Sequence, residues 1–242
     1  MRWLSLMSTL IAGAMLASGV AALECRDVIH DNNRYTVCEA SPEQEQLRLF
    51  LKDDQGAVYG QFTTIEAAHG PLRFAMNAGM YHEDRTPVGH YVENGKQQMR
   101  VIPFAGSGNF GLLPNRVFCI GSGRADVFET KHFLREKPSC THATQSGPML
   151  VIDGALHPRF LPDSTSRYIR NGVGSSVDGR RVVFAISENT VTFHEFGRLF
   201  RDVLKLPQAL YFDGSISRLH VPSLGRSDIG FRLGPIVGIL AN

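Results

Sequence analysis

The chain has no surplus of charge of either sign. It carries 25 Lys and Arg against 23 Asp and Glu in 242 residues, a balance that gives no footing for nucleic-acid or bulk membrane-surface binding. It shows no internal repeat, no low-complexity run and no Pro/Ser-rich linker, so nothing marks it as an array or splits it into two domains. There are only four cysteines and no Cys-x-x-Cys pair, which excludes the common zinc-finger and zinc-ribbon spacings. His-Glu-x-x-His is missing, HEFGR (194–198) being the nearest approach, and the nine histidines show no ligand spacing. Gly-x-Ser-x-Gly is missing too, so SGPML (146–150) is no nucleophile elbow. No metal or other cofactor is assigned.

What is present begins with an export signal. MRWLSLMSTLIAGAMLASGVAA (1–22) has Arg2 at the front, an apolar run from Leu4 to Val20, and Ala21 and Ala22 at its end. These are the charged, apolar and small-residue parts of a secretory signal. The run is short for a membrane span and no stop-transfer segment follows it, and Glu24 argues against lipidation of Cys25. The expectation is a periplasmic or secreted protein without stable membrane insertion, cleaved after Ala22. The mature chain, 23–242, is long enough for one domain with a real core. In an oxidising compartment four cysteines suggest disulfides. Three pairings are open; the one with the smallest loops joins Cys25 to Cys38 and Cys119 to Cys140, and it is the preferred one.

Glycine and proline recur throughout and punctuate many short segments, a strand-and-loop pattern with few helices. Strands are expected in RYTVCEA (34–40), LRLFLKD (47–53) and PLRFAMNAGM (71–80). PVGHYVENGKQQMRVIPF (87–104) reads as a hairpin around Asn94-Gly95, VFCIGSGRADVFE (117–129) as another, and SGPMLVIDGALHP (146–158) as a strand entering an Asp-Gly turn. The best helix spans 192–206. Thr192 and Glu195 form a capping box, Phe196, Phe200, Val203 and Leu204 share a face, and Pro207 stops it. Gly197 within it suggests a close packing contact. The helix lies between two apolar segments, 180–187 and 208–212, which predicts a crossover joining two parallel strands. Glu188 and Asp213 then follow strands at the same edge of one sheet, where ligands of such sheets bind. The fold expected is one α+β domain with a mixed, mostly antiparallel sheet, few helices and one parallel crossover unit.

GSGNFG (106–111) matches the dinucleotide-loop spacing, but no helix starts there and Pro114 follows, so it reads as a loop. Arg170 precedes a glycine-rich run in RYIRNGVGSSVDG (167–179), and arginine suits phosphate; the alternative is a solvated side chain beside a turn. Asp213, after two aromatics and before Gly214, is either a turn residue or a carboxylate at a pocket rim.

Six segments in order resemble the phosphodiester glycosidase family: NAGMYHEDRTPVG (77–89), NFGLLPN (109–115), TQSGPMLVIDG (144–154), RNGVG (170–174), FAISENTVTFHEF (184–196) and LYFDGSIS (210–217). The likeness runs from about Arg73 to Gly238 and is greatest to short bacterial exported members. The family's Asn-Ala-Gly falls on Asn77, Ala78 and Gly79, its Ser-Gly-Pro on Ser146, Gly147 and Pro148, its Arg-x-x-x-Gly on Arg170 and Gly174. Its Asp-Gly falls on Asp213 and Gly214, with Ser215 and Ser217 following. Many relatives continue Asp-Gly-Gly-Gly-Ser where this chain has Asp-Gly-Ser-Ile-Ser, and commonly carry Thr where it has Asn171.

The resemblance implies hydrolysis of the sugar C1–O bond of a sugar-1-phosphodiester or related glycan. Arg170 would neutralise phosphate, Asp213 would stabilise an oxocarbenium-like centre with Glu188 as helper, and Asn77 and Gln145 would hold hydroxyls or phosphate oxygens. Two rival readings are a non-catalytic module that grips a phosphoglycan or cell-envelope polymer, and a metal-dependent phosphodiester hydrolase.

Overall fold

The computed structural model describes residues 23–241; the export signal expected over 1–22 lies outside the described residues. The punctuated segments become short strands that assemble into three sheets. The seven-stranded sheet runs, edge to edge, Leu23–His30, Asn33–Ala40, Val182–Ser187, Asn171–Ser175, Gln208–Asp213, Met149–Ile152 and Ala155–Leu156. A second sheet runs Arg226–Ser227, Leu219–Val221, Leu72–Asn77, Ile236–Leu240 and Leu47–Phe50. The third runs Lys96–Met99, Tyr91–Glu93, His142–Ser146, Arg116–Ile120 and Ala125–Glu129. The hydrogen-bonded strand pairs within the three sheets are antiparallel.

The crossover takes a particular form. Val182–Ser187 and Gln208–Asp213 run in the same direction, but Asn171–Ser175 lies between them and opposes both. The connection is therefore a parallel crossover that skips one strand. Its helix starts as expected: the Thr192 hydroxyl accepts from Glu195 N at 3.1 Å, and the Glu195 carboxylate accepts from Thr192 N at 2.8 Å. Regular α-helix covers Phe193–Arg198, and Leu199–Val203 then widens into a π-helix. Gly197 does mark close packing, since a Cβ there would meet Leu156 at 3.0 Å and the Leu150 carbonyl at 3.2 Å. Two further helices, Phe62–His69 and Thr130–Glu136, had no counterpart in the sequence reading; neither shows a side-chain pattern long enough to stand out. The strand Leu23–His30 was likewise not anticipated.

Turn chemistry follows the residues that require it. Asn94 and Gly95 both take positive φ, 51° and 74°, as the hairpin demands, and Asp153 and Gly154 do the same at 48° and 82°. The 106–111 segment is turn and bend without helix.

The sheets share one central core. Cys38, Phe184, Ile186 and Phe212 come from the first, Leu49, Phe74, Met76 and Val237 from the second, and Tyr91, Phe118 and Val127 from the third. On the outer face of the seven-stranded sheet, Phe196 and Phe200 cover Val183, Ala185, Ala209 and Tyr211. No helix among the described residues is long and apolar enough to cross a membrane.

Both disulfides of the smallest-loop pairing are present. Cys25 and Cys38 sit directly opposite each other on adjacent antiparallel strands, with Cα atoms 4.0 Å apart. Cys119–Cys140, separated by 21 residues, ties the strand Arg116–Ile120 to the segment that follows the helix Thr130–Glu136. Loop-closure entropy assigns that bridge about 3 kcal/mol. The Cys119→Ala/Cys140→Ala protein should lose about that much stability in urea melts, relative to the oxidised parent; an unchanged midpoint would mean that the bridge places no effective constraint on the unfolded chain.

Candidate active site

Three strand termini meet at one edge of the seven-stranded sheet. Arg170 precedes Asn171–Ser175, Asp213 ends Gln208–Asp213, and Glu188 follows Val182–Ser187. A bulge helps to set the geometry there. Asn171 pairs with Asp213 but Gly172 pairs with Tyr211, so Phe212 is the extra residue. Phe212 enters the central core, while Tyr211 belongs to the opposite face. Bulges of this kind re-aim a side chain at a sheet edge.

Arg170 is 1% exposed. Its Nε donates to the Val191 carbonyl at 2.9 Å and its Nη2 to the Ser166 carbonyl at 3.1 Å. The guanidinium lies 3.7 Å over the Phe193 ring, with Tyr168 and Tyr211 at 5.3 and 5.4 Å. The main chain is held as well: Arg170 N donates to Ser187 Oγ at 2.9 Å. Nη1 is buried and, among the described residues, has no acceptor in good hydrogen-bonding geometry, although the Tyr211 side chain is near enough to raise the arginine pKa against the effect of burial. Burial lowers the arginine pKa from its ordinary value, but an arginine starts so high that the group stays cationic near neutrality. A buried charged donor without an acceptor is costly and calls for a reason; an anionic ligand supplies one.

The Asp213 carboxylate stands at the start of a tight turn. Its Oδ1 accepts from Gly214 N at 2.6 Å and Ser215 N at 3.0 Å. Burial nevertheless holds its pKa above the ordinary aspartate value, against the lowering effect of those amides. Gly214 is needed for closeness: a Cβ there would stand 2.1 Å from the Tyr211 hydroxyl. Ser215 is exposed at the turn. Ser217 Oγ lies 3.0 Å from the Asp213 carbonyl and 3.1 Å from the Ile169 carbonyl and shares its one hydrogen between them, bracing the turn from within.

The other sheets reach into the same point. Asn77, fully buried at the end of Leu72–Asn77, exchanges amide hydrogen bonds with Asn171, whose Nδ2 donates to the Asn77 carbonyl at 2.8 Å. Asn171 Oδ1 in turn accepts from Asp213 N at 3.2 Å. It is the Asn171 side chain that links Asn77 to Asp213. Ser146, also fully buried, donates to the Phe212 carbonyl at 2.9 Å. Asn77 and Ser146 thus fasten the second and third sheets to the backbone that presents Asp213. Gly79 lies two residues past Asn77 at φ 137°.

Four of the expected site residues are otherwise occupied. Glu188 is ion-paired with Arg226 and accepts from Thr36 Oγ1 at 2.8 Å. It lines a separate groove of about 430 Å³ with Asp27, Arg34 and Arg226, a groove that Asp213 and Arg170 do not line. The Gln145 amide spends its oxygen on His90 N and Ile102 N and its nitrogen on the Ile102 carbonyl, at 2.8–3.0 Å. Gly147, in a cis bond to Pro148, packs against Asn115. Gly174 lies farther down its strand, where a Cβ would meet Leu206 at 2.7 Å and Phe200 at 2.9 Å. Tyr168, Phe193 and Tyr211, which enclose Arg170, were not among the expected site residues. The available signal was position: Tyr168 and Tyr211 each precede a candidate residue by two, the spacing that shares a strand face.

The profile of the phosphodiester glycosidase family matches residues 71–224. The chain belongs to that family. It is 33% identical over 190 residues to YigE of Escherichia coli K12, covering 77% of this chain and 73% of YigE. Its fold is that of the zebrafish N-acetylglucosamine-1-phosphodiester alpha-N-acetylglucosaminidase catalytic domain. That match has a TM-score of 0.63 at 12% identity and covers 93% of this chain and 85% of the other. A putative exported protein of Burkholderia pseudomallei K96243 is similar at a TM-score of 0.55 and 11% identity, covering 86% and 74%. The family match begins near Leu72–Asn77 and ends past Asp213, so it contains both Arg170 and Asp213.

The raised Asp213 pKa has a consequence for stability. A carboxyl whose folded value exceeds its unfolded value costs nothing below the ordinary aspartate range, and its penalty grows as pH rises through the folded value. Asn at 213 keeps an acceptor for the turn amides. Asp213→Asn should therefore melt with wild type near about pH 3 and above it near about pH 7; a variant that melts lower at neutral pH would assign the carboxylate to holding the turn.

Proposed function

We propose that this protein is an exported hydrolase that cleaves the sugar C1–O bond of a sugar-1-phosphodiester. The observation that carries the reading is the buried guanidinium of Arg170, with Nη1 unspent among the described residues, at the sheet edge where Asp213 emerges. A sugar phosphodiester brings one fixed negative charge next to the anomeric carbon. Arg170 Nη1 neutralises the phosphate, and Asp213 faces the positive charge that develops at C1 as the bond breaks. Phosphate is a good leaving group, so the site does not need a second carboxylic acid to protonate it. Water completes the reaction: its oxygen joins C1, one of its protons is released, and the phosphate leaves with the C1–O electron pair. Glu188 is assigned to the Arg226 ion pair and not to the chemistry. Asn77, Ser146, Ser217 and Gln145 act by holding the backbone around the two charged groups, and Gly79, Gly147, Gly174 and Gly214 by the close approaches they permit.

The two disulfides and the apolar start of the chain support a periplasmic or secreted location for a mature protein of residues 23–242. Carbohydrate is the partner this reading requires; the charge balance offers nothing to nucleic acid.

The test is turnover of a panel of sugar-1-phosphodiesters, N-acetylglucosamine forms included, by mature protein in heavy-oxygen water. Label in the released sugar supports C1–O cleavage, whereas label in the phosphate would make the protein a phosphodiesterase. Binding without release would make it a phosphoglycan-binding module. Asp213→Asn and Arg170→Ala should each lower kcat/KM roughly 100- to 1,000-fold. Glu188→Gln should stay within about threefold of wild type and show its effect in stability instead; a loss as deep as that of Asp213→Asn would return Glu188 to the reaction.

A further inference from the structure

We infer that the Tyr211 hydroxyl is the second donor of the anion pocket, holding the substrate phosphate together with Arg170 Nη1. This rests on the phosphodiester reading above and names the group that completes its phosphate site.

The geometry begins at Gly214. A Cβ built there would lie 2.1 Å from the Tyr211 hydroxyl and 3.6 Å from Arg170 Nη1. The Tyr211 hydroxyl thus fills the position a side chain at 214 would take, and Arg170 Nη1 lies beside it, so the two groups are neighbours. Arg170 Nε and one N–H of Nη2 are committed to the Val191 and Ser166 carbonyls, so Nη1 is the nitrogen left whole for a phosphate. Donors on one nitrogen alone hold one end of the phosphate and leave it free to pivot. A second donor group beside that nitrogen removes that freedom. The Tyr211 ring is 1% exposed, packed edge-on against Phe193 at 4.8 Å between centroids, so its hydroxyl is aimed by packing and carries little rotational freedom.

Charge favours a donor role. The phenol pKa is pushed up by burial and further by the Asp213 carboxylate, with Arg170 opposing, so the hydroxyl keeps its proton at neutral pH. Asp213 follows two residues later on the same strand. A phosphate held by Tyr211 and Arg170 thus lies next to the carboxylate that faces the anomeric carbon.

Tyr211→Phe removes the hydroxyl and keeps the ring. On a sugar-1-phosphodiester turned over by wild type, kcat/KM should fall about 10- to 100-fold, the range of a hydrogen bond to a charged group. Affinity for N-acetylglucosamine-1-phosphate, measured by calorimetry, should weaken in parallel, with the melting temperature unchanged. Hydrolysis of an aryl glycoside without phosphate, where wild type shows it, should be unaffected, which a merely structural role for the hydroxyl would not allow. Gly214→Ala gives an independent check: it should cost more activity or affinity in wild type than in Tyr211→Phe, where the clashing atom is gone. Wild-type turnover with kcat/KM and sugar-phosphate affinity of Tyr211→Phe both within twofold of it would overturn the inference and leave the glycosidase reading standing. Wild-type binding of the sugar phosphate without turnover, weakened in Tyr211→Phe, would remove the glycosidase reading and keep the pocket. Neither turnover nor binding in wild type would overturn both.

Discussion

A guanidinium taken out of water must be surrounded by groups that tolerate its charge, and much of this molecule's edge is arranged to do that for Arg170. Desolvating an ion of this size costs several kcal/mol. The offsetting contacts come from distant parts of the chain: carbonyls at Ser166 and Val191, the face of Phe193, and the rings of Tyr168 and Tyr211. Each cation–π contact in such a dry setting contributes on the order of 1–2 kcal/mol. The capped start of the helix Phe193–Arg198, the loop before Asn171–Ser175 and the end of Gln208–Asp213 are all held in register with this one side chain. What they leave unpaired, among the described residues, is the Nη1 amino group, and that is where an anion can be recognised.

The same economy appears in the polar contacts beneath. The three sheets share a hydrophobic core, which is indifferent to the last ångström of alignment. Directional bonds supply the alignment. Asn77 meets Asn171, Ser146 meets the Phe212 carbonyl, and Ser217 meets the Asp213 carbonyl. These bonds converge on three or four residues of backbone around Asp213. A carboxylate pinned in this way and partly desolvated needs little reorganisation when positive charge develops nearby. Several of the family's motif residues thus spend their polar groups on the backbone around Asp213.

Glu188 illustrates how two acids at one sheet edge acquire different roles. Both follow strands that run in the same direction, and both stand one residue from an apolar segment. Arg226, brought in from the second sheet, pairs with Glu188 and with Asp228, whereas Asp213 is met by backbone amides. An acid neutralised by an arginine is spent, while an acid held by amides in a desolvated turn keeps its charge available to a ligand.

Much of the local structure was legible in the residues because it is set over a few positions. The Thr192–Glu195 capping box, the Asn94-Gly95 turn and the tight spot at Gly197 each follow from short-range sterics and hydrogen bonding, whereas RYTVCEA, which alternates as a half-buried strand would, is buried on both faces. The paired cysteines and the shared sheet edge of Asp213 and Glu188 were within reach as well, the first from loop length and the second from the crossover. The short helices Phe62–His69 and Thr130–Glu136 were not, since packing and not propensity sustains elements of that length. Nor did residue types distinguish Asp213 from Glu188, or show that Gln145 and Gly174 turn inward. Those outcomes depend on which side chains from other sheets arrive within a few ångströms, and only the tertiary structure brings Arg226, Ile102 and Phe200 to them. By itself the sequence determined the elements and the identity of the charged groups; the packing of three sheets decided which charge is neutralised and which is left for a ligand, because electrostatic partners are chosen by distance in space and not along the chain.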